Sequence, residues 1–229
     1  MASSPTAYAP HKSLEDPLAH LPCSTIMEYR KGQTIYNQDQ PSTSLHLVID
    51  GRVKVVRLAD DGHQVVVDIY QADEFFGESA FLSLPHRSEQ ATALEDAKLM
   101  AWGTQEIEEI VMKRPRLAVA LLQIQIQRTL DMTQRIESFS ADNIARRLAR
   151  SLIRFSERLG TVESDGSVHM SAFTHELLSQ YVGTSREIVT HYMNQFRRQG
   201  YLRYSRKGIL LHRDAMREWL KQESSAAAA

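Results

Sequence analysis

The amino-acid sequence predicts an α+β fold with an antiparallel β-domain first, a long helix in the middle and a winged helical unit at the end. Three observations lead to this prediction. Short alternating runs separated by glycine turns extend to about Trp102, apolar residues at helical spacing follow Pro115, and a helix–glycine–helix pattern begins at Thr174. The 229 residues are 42% hydrophobic and 24% charged, which suffices for one large domain or two ordinary ones.

The β-domain is predicted from short β-type runs between Ser24 and about Trp102, among them SLHLVI, RVKVVRL and QVVVDIY. Turn signals separate the runs at Lys31-Gly32, Asp50-Gly51 and Asp61-Gly62. Regular short strands joined by glycine turns are typical of an antiparallel sandwich or barrel. We therefore assign residues 25–114 to this domain.

The long helix is predicted from a change of hydrophobic period after Pro115, a residue that suits a helix start. No Gly or Pro interrupts residues 116–159, and the segment 139–143, Phe-Ser-Ala-Asp-Asn, is the expected break because Ser, Asp and Asn prefer helix caps. Residues at spacings of three and four form a heptad seam: Val119, Leu122, Ile126, Thr129, Thr133, Ile136 and Ser140. The seam predicts a parallel partner, most simply a second copy of the chain, so residues 115–139 are assigned to a dimerisation helix.

Two threonines, Thr129 and Thr133, stand one turn apart in the middle of the heptad seam. They could set the register of the helix pair as polar seam residues do, or they could face something polar that is not the other helix. The sequence alone leaves both interpretations open.

Charge is distributed unevenly, although the net charge of the whole chain is −1. Residues 139–221 contain fourteen Lys and Arg against eight Asp and Glu, whereas residues 1–138 contain thirteen against nineteen. An acidic half and a basic half indicate two domains, the second suited to approach a polyanion.

A helix-turn-helix pattern occupies THELLSQYVGTSREIVTHYMNQFRRQGYL, residues 174–202. Thr174 can cap a first helix, Gly183 supplies the positive φ of a sharp turn, and Ser179 is small where two helices would cross. We interpret Thr184 and Glu187 as a capping box for the second helix. The predicted buried stripe of that helix consists of Ile188, Val189, Tyr192, Met193 and Phe196.

The opposite face of the second helix carries side chains that a DNA major groove can meet, because Arg pairs bidentately with guanine and Glu accepts from cytosine. The following GYLRYSRKGILLH resembles a hairpin whose basic residues suit phosphate contacts. A helical hairpin with a solvated charged face is the simpler alternative. We predict a winged helix-turn-helix DNA-binding domain over residues 140–221. Its candidate DNA-binding residues are Thr184, Ser185, Arg186, Glu187, Thr190, His191, Arg206 and Lys207.

The stretch FGESAFLSLPHRSEQA, residues 76–91, places a Gly-Glu pair nine residues before an Arg-Ser pair. A surface ion pair beside a turn is one interpretation of this spacing, and its meaning depends on the rest of the chain.

The order of a β-rich half, a seam helix and a winged helix-turn-helix resembles the CRP/FNR superfamily of bacterial transcription regulators. The resemblance covers roughly residues 25–220, and its most specific pieces are GTSREIV, FGES…HRS and the strand signature GQTIYNQDQPSTSLHLVIDGRVKV. It implies a jelly-roll-like, cyclic-nucleotide-binding β-roll joined to the helix and the DNA-binding domain. It also implies a cytoplasmic homodimer, not an enzyme, that binds a pseudo-palindromic double-stranded DNA site and RNA polymerase in response to an effector.

The resemblance gives the Gly-Glu and Arg-Ser pairs a role as a phosphate-binding cassette for cyclic AMP or another cyclic nucleotide. Glu78 would bind the ribose hydroxyl, while Arg87, expected to be partly exposed, and Ser88 would hold the cyclic phosphate. The chemistry is sensible, since a guanidinium matches a phosphate, a carboxylate avoids it, and a glycine lets backbone N–H groups approach. The implied effector-binding residues are Gly77, Glu78, Ser79, Arg87, Ser88, Arg128 and Thr133.

Three residues depart from the family pattern. Met132 stands where the cyclic-AMP-specific member has a hydroxyl residue, and His191 replaces an arginine that reads a second guanine. Glu89 follows the Arg-Ser pair where a small residue is usual, and we expect it to point to the other face of a strand. A regulator whose β-roll is degenerate, binding no cyclic nucleotide or another effector, therefore remains an alternative.

Other functions find little support in the sequence. The only cysteine, Cys23, excludes a disulfide framework, a thiolate metal cluster or a cysteine-ligated iron–sulfur centre within one chain. His46, His63 and His86 are isolated and expected at the surface or in turns, and without any HxH pair a cupin-type metalloenzyme is disfavoured. We expect no metal site.

The absence of long apolar runs and the composition of the N-terminus bear on where in the cell the protein is located. No run approaches about eighteen consecutive apolar residues, so no membrane span is expected, and MASSPTAYAP lacks the pattern of a secretion signal. Residues 1–24 and 222–229 lack periodicity and are expected to be mobile.

Overall fold

The computed structural model describes residues 14–59, 62–82, 84–205 and 207–227, with side chains described as far as residue 223. The described β-domain contains two four-stranded antiparallel sheets, ordered β1-β8-β3-β6 and β2-β7-β4-β5. The strands are β1 Ile26–Tyr29, β2 Thr34–Tyr36, β3 Ser44–Asp50, β4 Val53–Leu58, β5 Gln64–Tyr70, β6 Phe75–Phe76, β7 Gln90–Ala93 and β8 Ala97–Gly103. This arrangement confirms the predicted antiparallel β-roll.

The turns of the β-roll follow the glycine signals. Gly32, Gly51 and Gly62 have φ angles of 83°, 80° and 82°, a region that residues with a Cβ rarely adopt. Asp61, the first residue of the third predicted turn, lies outside the described residues.

Three helices connect the β-roll to the C-terminal unit: α1 Thr104–Lys113, α2 Arg116–Ala141 and α3 Ile144–Leu159. Pro115 is the N-cap residue of α2, as predicted. The predicted break is also confirmed, because α2 ends at Ala141, with Asp142 as its C-cap residue, and the Asn143 side chain caps α3 by accepting from Arg146 N at 3.0 Å. Helix α1 was not predicted; it lies within the range assigned to the β-domain.

The C-terminal unit contains the predicted helix-turn-helix and hairpin, together with a sheet ordered β11-β12-β10-β9. Its elements are β9 Gly160–Val162, β10 Val168–Met170, α4 His175–Val182, α5 Arg186–Arg198, β11 Leu202–Ser205, β12 Gly208–Leu211 and α6 Arg213–Ala227. Strands β9 and β10 extend the sheet beyond the predicted hairpin, which pairs Ser205 with Gly208 across its turn.

Both ends of the described chain adopt defined conformations although their sequences lack periodicity. Residues 14–24 pack on the protein, since Glu15 N donates to Gln123 Oε1 at 2.8 Å and Trp102 Nε1 donates to Pro22 O at 3.0 Å. Helix α6 continues to Ala227, so most of the predicted tail is helical. Residues 1–13 and 228–229 lie outside the described residues. Tertiary contacts of this kind leave no periodic signal in the sequence.

The β-roll and the C-terminal unit pack against each other. Val56, Val66 and Ile69, from β4 and β5, belong to the same buried cluster as Leu177 and Tyr181 of α4. The first helix of the helix-turn-helix therefore rests on a strand of the β-roll.

Two arginines reinforce this contact with hydrogen bonds. Arg135 of α2 donates from Nη1 to Val67 O and from Nη2 to Val66 O and Tyr181 O, each at 2.8 Å. It thereby joins α2, β5 and the end of α4. Burial lowers the pKa of the Arg135 guanidinium.

Arg158 of α3 makes the second link. Its Nη1 donates to the Asp68 carboxylate oxygens at 2.8 and 2.9 Å, and its Nη2 donates to both Glu74 oxygens at 3.0 Å and to Ile69 O at 3.1 Å. Burial alone would lower the pKa of this guanidinium, but Asp68 and Glu74 raise it above its ordinary value. The ion pairs formed by Arg158 with Asp68 and Glu74 are called the interdomain clamp below.

Candidate functional site

Gly77 lies at the centre of the predicted cassette, in a backbone conformation with φ of 85° directly after β6. A Cβ at this position would lie 3.1 Å from His46 Nδ1, 3.1 Å from Ser44 O and 3.2 Å from Arg87 Nη1. Those three atoms therefore converge on one point beside the glycine, and a larger residue would be both strained and crowded there.

Arg87 is buried, with only 5% of its surface exposed, which corrects the expectation of partial exposure. Its guanidinium carbon lies 3.8 Å from the centroid of the Tyr36 ring, and Nη2 donates to Ser44 O at 3.2 Å. Its Nε and Nη1 are buried and make no hydrogen bond among the described residues. Burial lowers the pKa of Arg87, as it does for a cation with incomplete compensation.

Glu78 is held by the long helix. It forms an ion pair with Arg128 and accepts a hydrogen bond from Gln125 Nε2 at 3.0 Å. Arg128 also donates to Phe75 O and lies 4.9 Å from the centroid of the Tyr70 ring. The interpretation of Glu78 and Arg87 as a simple ion pair is therefore wrong, because the partner of Glu78 comes from α2.

Ser79 and Ser88 complete the cassette segment, and both are half-buried. Ser79 Oγ lies 3.3 Å from Ser42 Oγ, and Ser88 O accepts from Gln38 Nε2 at 3.1 Å. Thr133 lies on an exposed part of α2 and donates to Thr129 O at 2.9 Å. The structure thus brings Gly77, Arg87 and the serines to one region, with Thr133 in the exposed heptad seam.

Glu89 does not turn away from the cassette as expected. It precedes β7, which begins at Gln90, and it accepts a hydrogen bond from Tyr36 Oη at 3.1 Å. The other partner of Tyr36 is the Arg87 guanidinium on its ring face. Burial first, and then the Glu89 charge, raises the pKa of the Tyr36 hydroxyl.

His46 is a buried residue, contrary to the expectation of a surface or turn histidine. It is 7% exposed on β3, pairs in register with Phe76, and stacks on that ring with centroids 5.0 Å apart. Burial and then the Arg87 charge lower its pKa to about 4, against the opposing effect of the Ser44 carbonyl. Its place inside the apolar run SLHLVI was the sequence signal that could have predicted burial.

The turn of the helix-turn-helix follows the prediction at its centre. Gly183 ends α4 with φ of 72°, and Thr174 caps the start of α4 by accepting from Leu177 N at 3.0 Å. Ser179 is buried between the helices. The predicted capping box of Thr184 and Glu187 is wrong, because Ser185 caps α5 by accepting from Ile188 N at 3.3 Å.

The shift of one residue has a local cause. The Thr184 N–H donates to Ser179 O at 3.1 Å and so belongs to the motif that closes α4. Ile188, predicted in the buried stripe, is 37% exposed, whereas Val189, Met193 and Phe196 are buried. Because α5 turns Ile188 away from α4, the exposed face is wider than predicted.

The exposed face of α5 carries the candidate base-reading residues. Arg186, Glu187 and His191 are exposed, while Thr190 is half-buried and lies 2.7 Å, through Oγ1, from His175 Nδ1. Ser185 is also exposed, and Thr184 is half-buried. Lys207 is exposed at the tip of the wing; its neighbour Arg206 lies outside the described residues.

A cavity of about 1130 Å³ lies between α2, α3 and α6. Its walls carry both signs of charge, and many of the charges are already paired, for example Arg154 with Asp131 at 3.2 Å and Arg150 with Asp142 at 2.6 Å. The cavity therefore shows no preference for a ligand of one charge.

Metal sites and membrane-spanning helices are both absent from the described residues. No group of three or more His, Cys, Asp or Glu side chains is arranged to hold a metal ion within residues 14–59, 62–82, 84–205 and 207–227. Among the same residues, no helix is long and apolar enough to cross a membrane.

Two family models match the chain in the order of its structure. Residues 26–114 match the cyclic nucleotide-binding domain, and residues 146–219 match the Crp-like helix-turn-helix domain. Together the two matches span more than half of the chain.

Whole-chain relatives and a solved structure agree with both matches. The chain is 24% identical over 185 residues to a CRP-like cAMP-activated global transcriptional regulator of Mycobacterium tuberculosis, covering 81% of this chain and 83% of the relative. It is 24% identical over 187 residues to the global nitrogen regulator of Synechococcus elongatus, covering 80% and 84%. The structure of FixK2 from Bradyrhizobium japonicum superposes with a TM-score of 0.76 at 21% identity, over 86% of this chain and 96% of that one.

The domain order, the helix-turn-helix geometry and these matches lead to one assignment. The chain belongs to the CRP/FNR superfamily of sequence-specific, DNA-binding transcription regulators.

Proposed function

We propose that this regulator responds to a cyclic nucleotide that binds in the β-roll at the Gly77–Ser88 cassette. The observation that carries the proposal is Arg87, a buried guanidinium with two unpaired nitrogens beside Gly77, whose lack of a side chain leaves room for its neighbours. A buried cation without full compensation destabilises a fold, so its presence needs a reason. An anionic phosphate oxygen would supply the missing acceptors.

The remaining cassette residues fit the same ligand class. Ser79 and Ser88 offer hydroxyl donors near the phosphate position, whereas the Glu78 carboxylate suits a sugar hydroxyl and would repel a phosphate. Arg128 and Gln125 orient Glu78 from α2. Thr133 would contact the base from the heptad seam. Arg87 and Gly77 are buried, so the β-roll must open at this point before a ligand can contact them.

Effector binding would reach the DNA-binding domain through the short segment from Glu74 to Glu78. Glu78 lies in the cassette, while Glu74, four residues earlier, forms part of the interdomain clamp with Arg158. A displacement of Gly77 and Glu78 would therefore move Glu74 against Arg158. We propose that this movement loosens the contact between β5 and α4 and frees α4 and α5 to dock on DNA.

The heptad seam supports a parallel homodimer. All seven seam residues are exposed in the single chain, and its apolar members include Leu122 at 60%, Ile126 at 52% and Ile136 at 65% exposure. Exposed apolar side chains repeated along one helix face are typical of an interaction surface. A second copy of α2 is the simplest partner for such a seam, as the family also suggests.

A two-fold dimer of helix-turn-helix units implies a pseudo-palindromic DNA site. Its half-sites would lie about one helical turn, ~34 Å, apart. Arg186, Glu187 and His191 would face base edges, and Lys207 would meet the phosphate backbone. Action at promoters places the protein in the cytoplasm and makes RNA polymerase its expected partner.

Replacing Arg87 with Met tests the effector site. The change removes a buried charge but retains length, so we expect the thermal unfolding temperature to stay constant or rise, while cyclic-AMP binding in a calorimeter is lost. Arg52 is the matched control, because it pairs with Glu95 through two bonds of 2.9 Å. Arg52→Met should lower the unfolding temperature and leave binding intact.

The same titration decides between the two candidate effector functions. Nucleotide binding by Arg87→Met at wild-type affinity would rule out the phosphate role of Arg87. A wild-type protein that binds neither cyclic AMP nor cyclic GMP would favour the degenerate β-roll, in which the Glu89 carboxylate near Arg87 takes the place of the anion.

Charge in the heptad seam should separate the dimer. We expect Leu122→Glu or Ile126→Glu to shift sedimentation at micromolar concentration from dimer to monomer, because like charges would face each other across the seam. Met112→Glu is the control, since Met112 is 83% exposed on α1, outside the seam. A wild-type protein that sediments as a stable monomer would contradict the proposed dimer.

Selection of binding sites from random DNA tests the recognition helix. Arg186→Ala should weaken binding by about 1 to 3 kcal/mol and relax selection at one guanine, whereas Lys207→Ala should weaken all sequences and flatten the salt dependence. At the base pair that faces His191 we expect loose selection, since an imidazole cannot hold a guanine as a guanidinium does. A strict guanine there would show that His191 leaves the readout unchanged.

A further inference from the structure

His46 is a second buried polar side chain beside the cassette. Its Nδ1 is inaccessible to solvent and makes no hydrogen bond of regular geometry among the described residues, although the Ser44 carbonyl acts to raise the pKa of the ring. The imidazole packs closely on Phe76 and lies 5.5 Å from the Tyr36 ring. Buried polar atoms in folded proteins are nearly always hydrogen-bonded, and leaving one unpaired is costly. The ring stack alone does not need a nitrogen, because a phenylalanine would stack equally well.

The unpaired atom lies where the cassette converges. His46 Nδ1 and Arg87 Nη1 both lie within 3.2 Å of the position that a Gly77 Cβ would occupy, and Arg87 Nη1 is itself unpaired. One nitrogen from β3 and one from the segment before β7 therefore border the same small volume. The strand pair β3 and β6 fixes this arrangement, because His46 and Phe76 are direct cross-strand neighbours and Gly77 follows Phe76.

The imidazole carries the right chemistry for an anion. Burial and the adjacent Arg87 charge lower the pKa of His46 to about 4, so the ring is neutral at physiological pH and has one N–H. A neutral ring that donates from Nδ1 adds a hydrogen bond to an anionic oxygen without adding a charge. The guanidinium of Arg87 already supplies the charge that a phosphodiester monoanion requires.

We propose that His46 Nδ1 donates a hydrogen bond to the same anionic phosphate oxygen that Arg87 holds, which makes His46 a ligand-contacting residue of the effector site. This assignment rests on the proposed function. It extends the site from the cassette segment to β3 and accounts for a buried polar side chain between Leu45 and Leu47. The competing arrangements are internal, with His46 Nδ1 either donating to Ser44 O or accepting from Arg87 Nη1 in a purely structural role.

Two substitutions separate the hydrogen bond from the packing. His46→Phe keeps the ring on Phe76 but removes both nitrogens, and it should bind cyclic AMP and cyclic GMP at least tenfold more weakly than wild type. His46→Asn keeps an N–H donor near the Nδ1 position and should retain most of the affinity. His63→Asn, at an exposed histidine between β4 and β5, is the matched control and should bind like wild type.

Nitrogen NMR of the wild-type protein gives a readout that a packing role would not change. With ¹⁵N-labelled histidine, the His46 Nδ1 resonance should report a protonated nitrogen whose chemical shift changes when cyclic AMP is added, and the phosphorus resonance of the nucleotide should shift less in His46→Phe than in wild type. A protonated Nδ1 that does not respond to the nucleotide would assign the hydrogen bond to Ser44 O. The nitrogen spectrum of the wild-type protein identifies the tautomer without any variant of His46. This readout is therefore available even if His46→Phe folds poorly.

Several results would overturn the assignment. Wild-type affinity in His46→Phe would remove His46 from the site, and equal losses in the Phe and Asn variants would show a packing role. An Nδ1 that stays unprotonated in the complex would establish the internal bond from Arg87. A wild-type protein that binds neither nucleotide would reject the proposed effector class, and with it this role for His46; retained nucleotide binding with an unaffected His46→Phe would reject the His46 role alone.

Discussion

The structure depends on one arginine that joins its two halves. Arg158 of α3 engages Asp68 and Glu74 of the β-roll together with the carbonyl of Ile69, so the helix that leads into the DNA-binding domain is fixed to β5. Partly buried bidentate pairs of this kind have a defined geometry, and a change in one partner is costly because it leaves the other charge unpaired. The position of α4 on the β-roll follows from this clamp, from Arg135 and from the apolar cluster beneath them.

The cassette and the interdomain clamp differ in how well their charges are compensated. At the clamp, each donor of Arg158 has an acceptor, whereas in the cassette two nitrogens of Arg87 and one of His46 have none. A ligand that supplied acceptors to these nitrogens would bind with favourable free energy. The short segment from Glu74 to Gly77 would let part of that free energy weaken the ion pairs of the clamp. A ligand can shift a conformational equilibrium only by its difference in affinity for the two conformations. Here the conformation with the clamp loosened would bind the ligand more tightly than the conformation with the clamp closed.

Sequence patterns predicted the features that arise from local preference. The strands, the break at Asn143, the start of α2 at Pro115 and the positive φ of Gly183 all follow from capping, turn chemistry and periodicity. The errors concern features that tertiary contacts decide. The cap of α5 moved to Ser185 because Thr184 closes α4, and Ile188 is exposed because α5 turns it away from α4.

Within the candidate site, the sequence pointed to the proposed cassette residues but did not predict their environment. The ion pair of Glu78 with Arg128, the burial of Arg87 and the role of Tyr36 as the partner of Glu89 depend on residues far apart in the chain. The clamp itself had no local signal in the sequence.

The proposed coupling between the cassette and the DNA-binding domain is tested most directly by DNA binding with and without cyclic AMP. Fluorescence anisotropy would be measured for wild type, Arg158→Gln and the surface control Arg217→Gln. We expect Arg158→Gln alone to bind the operator equally well with and without the nucleotide; a nucleotide response in Arg158→Gln equal to that of wild type would contradict coupling through the clamp.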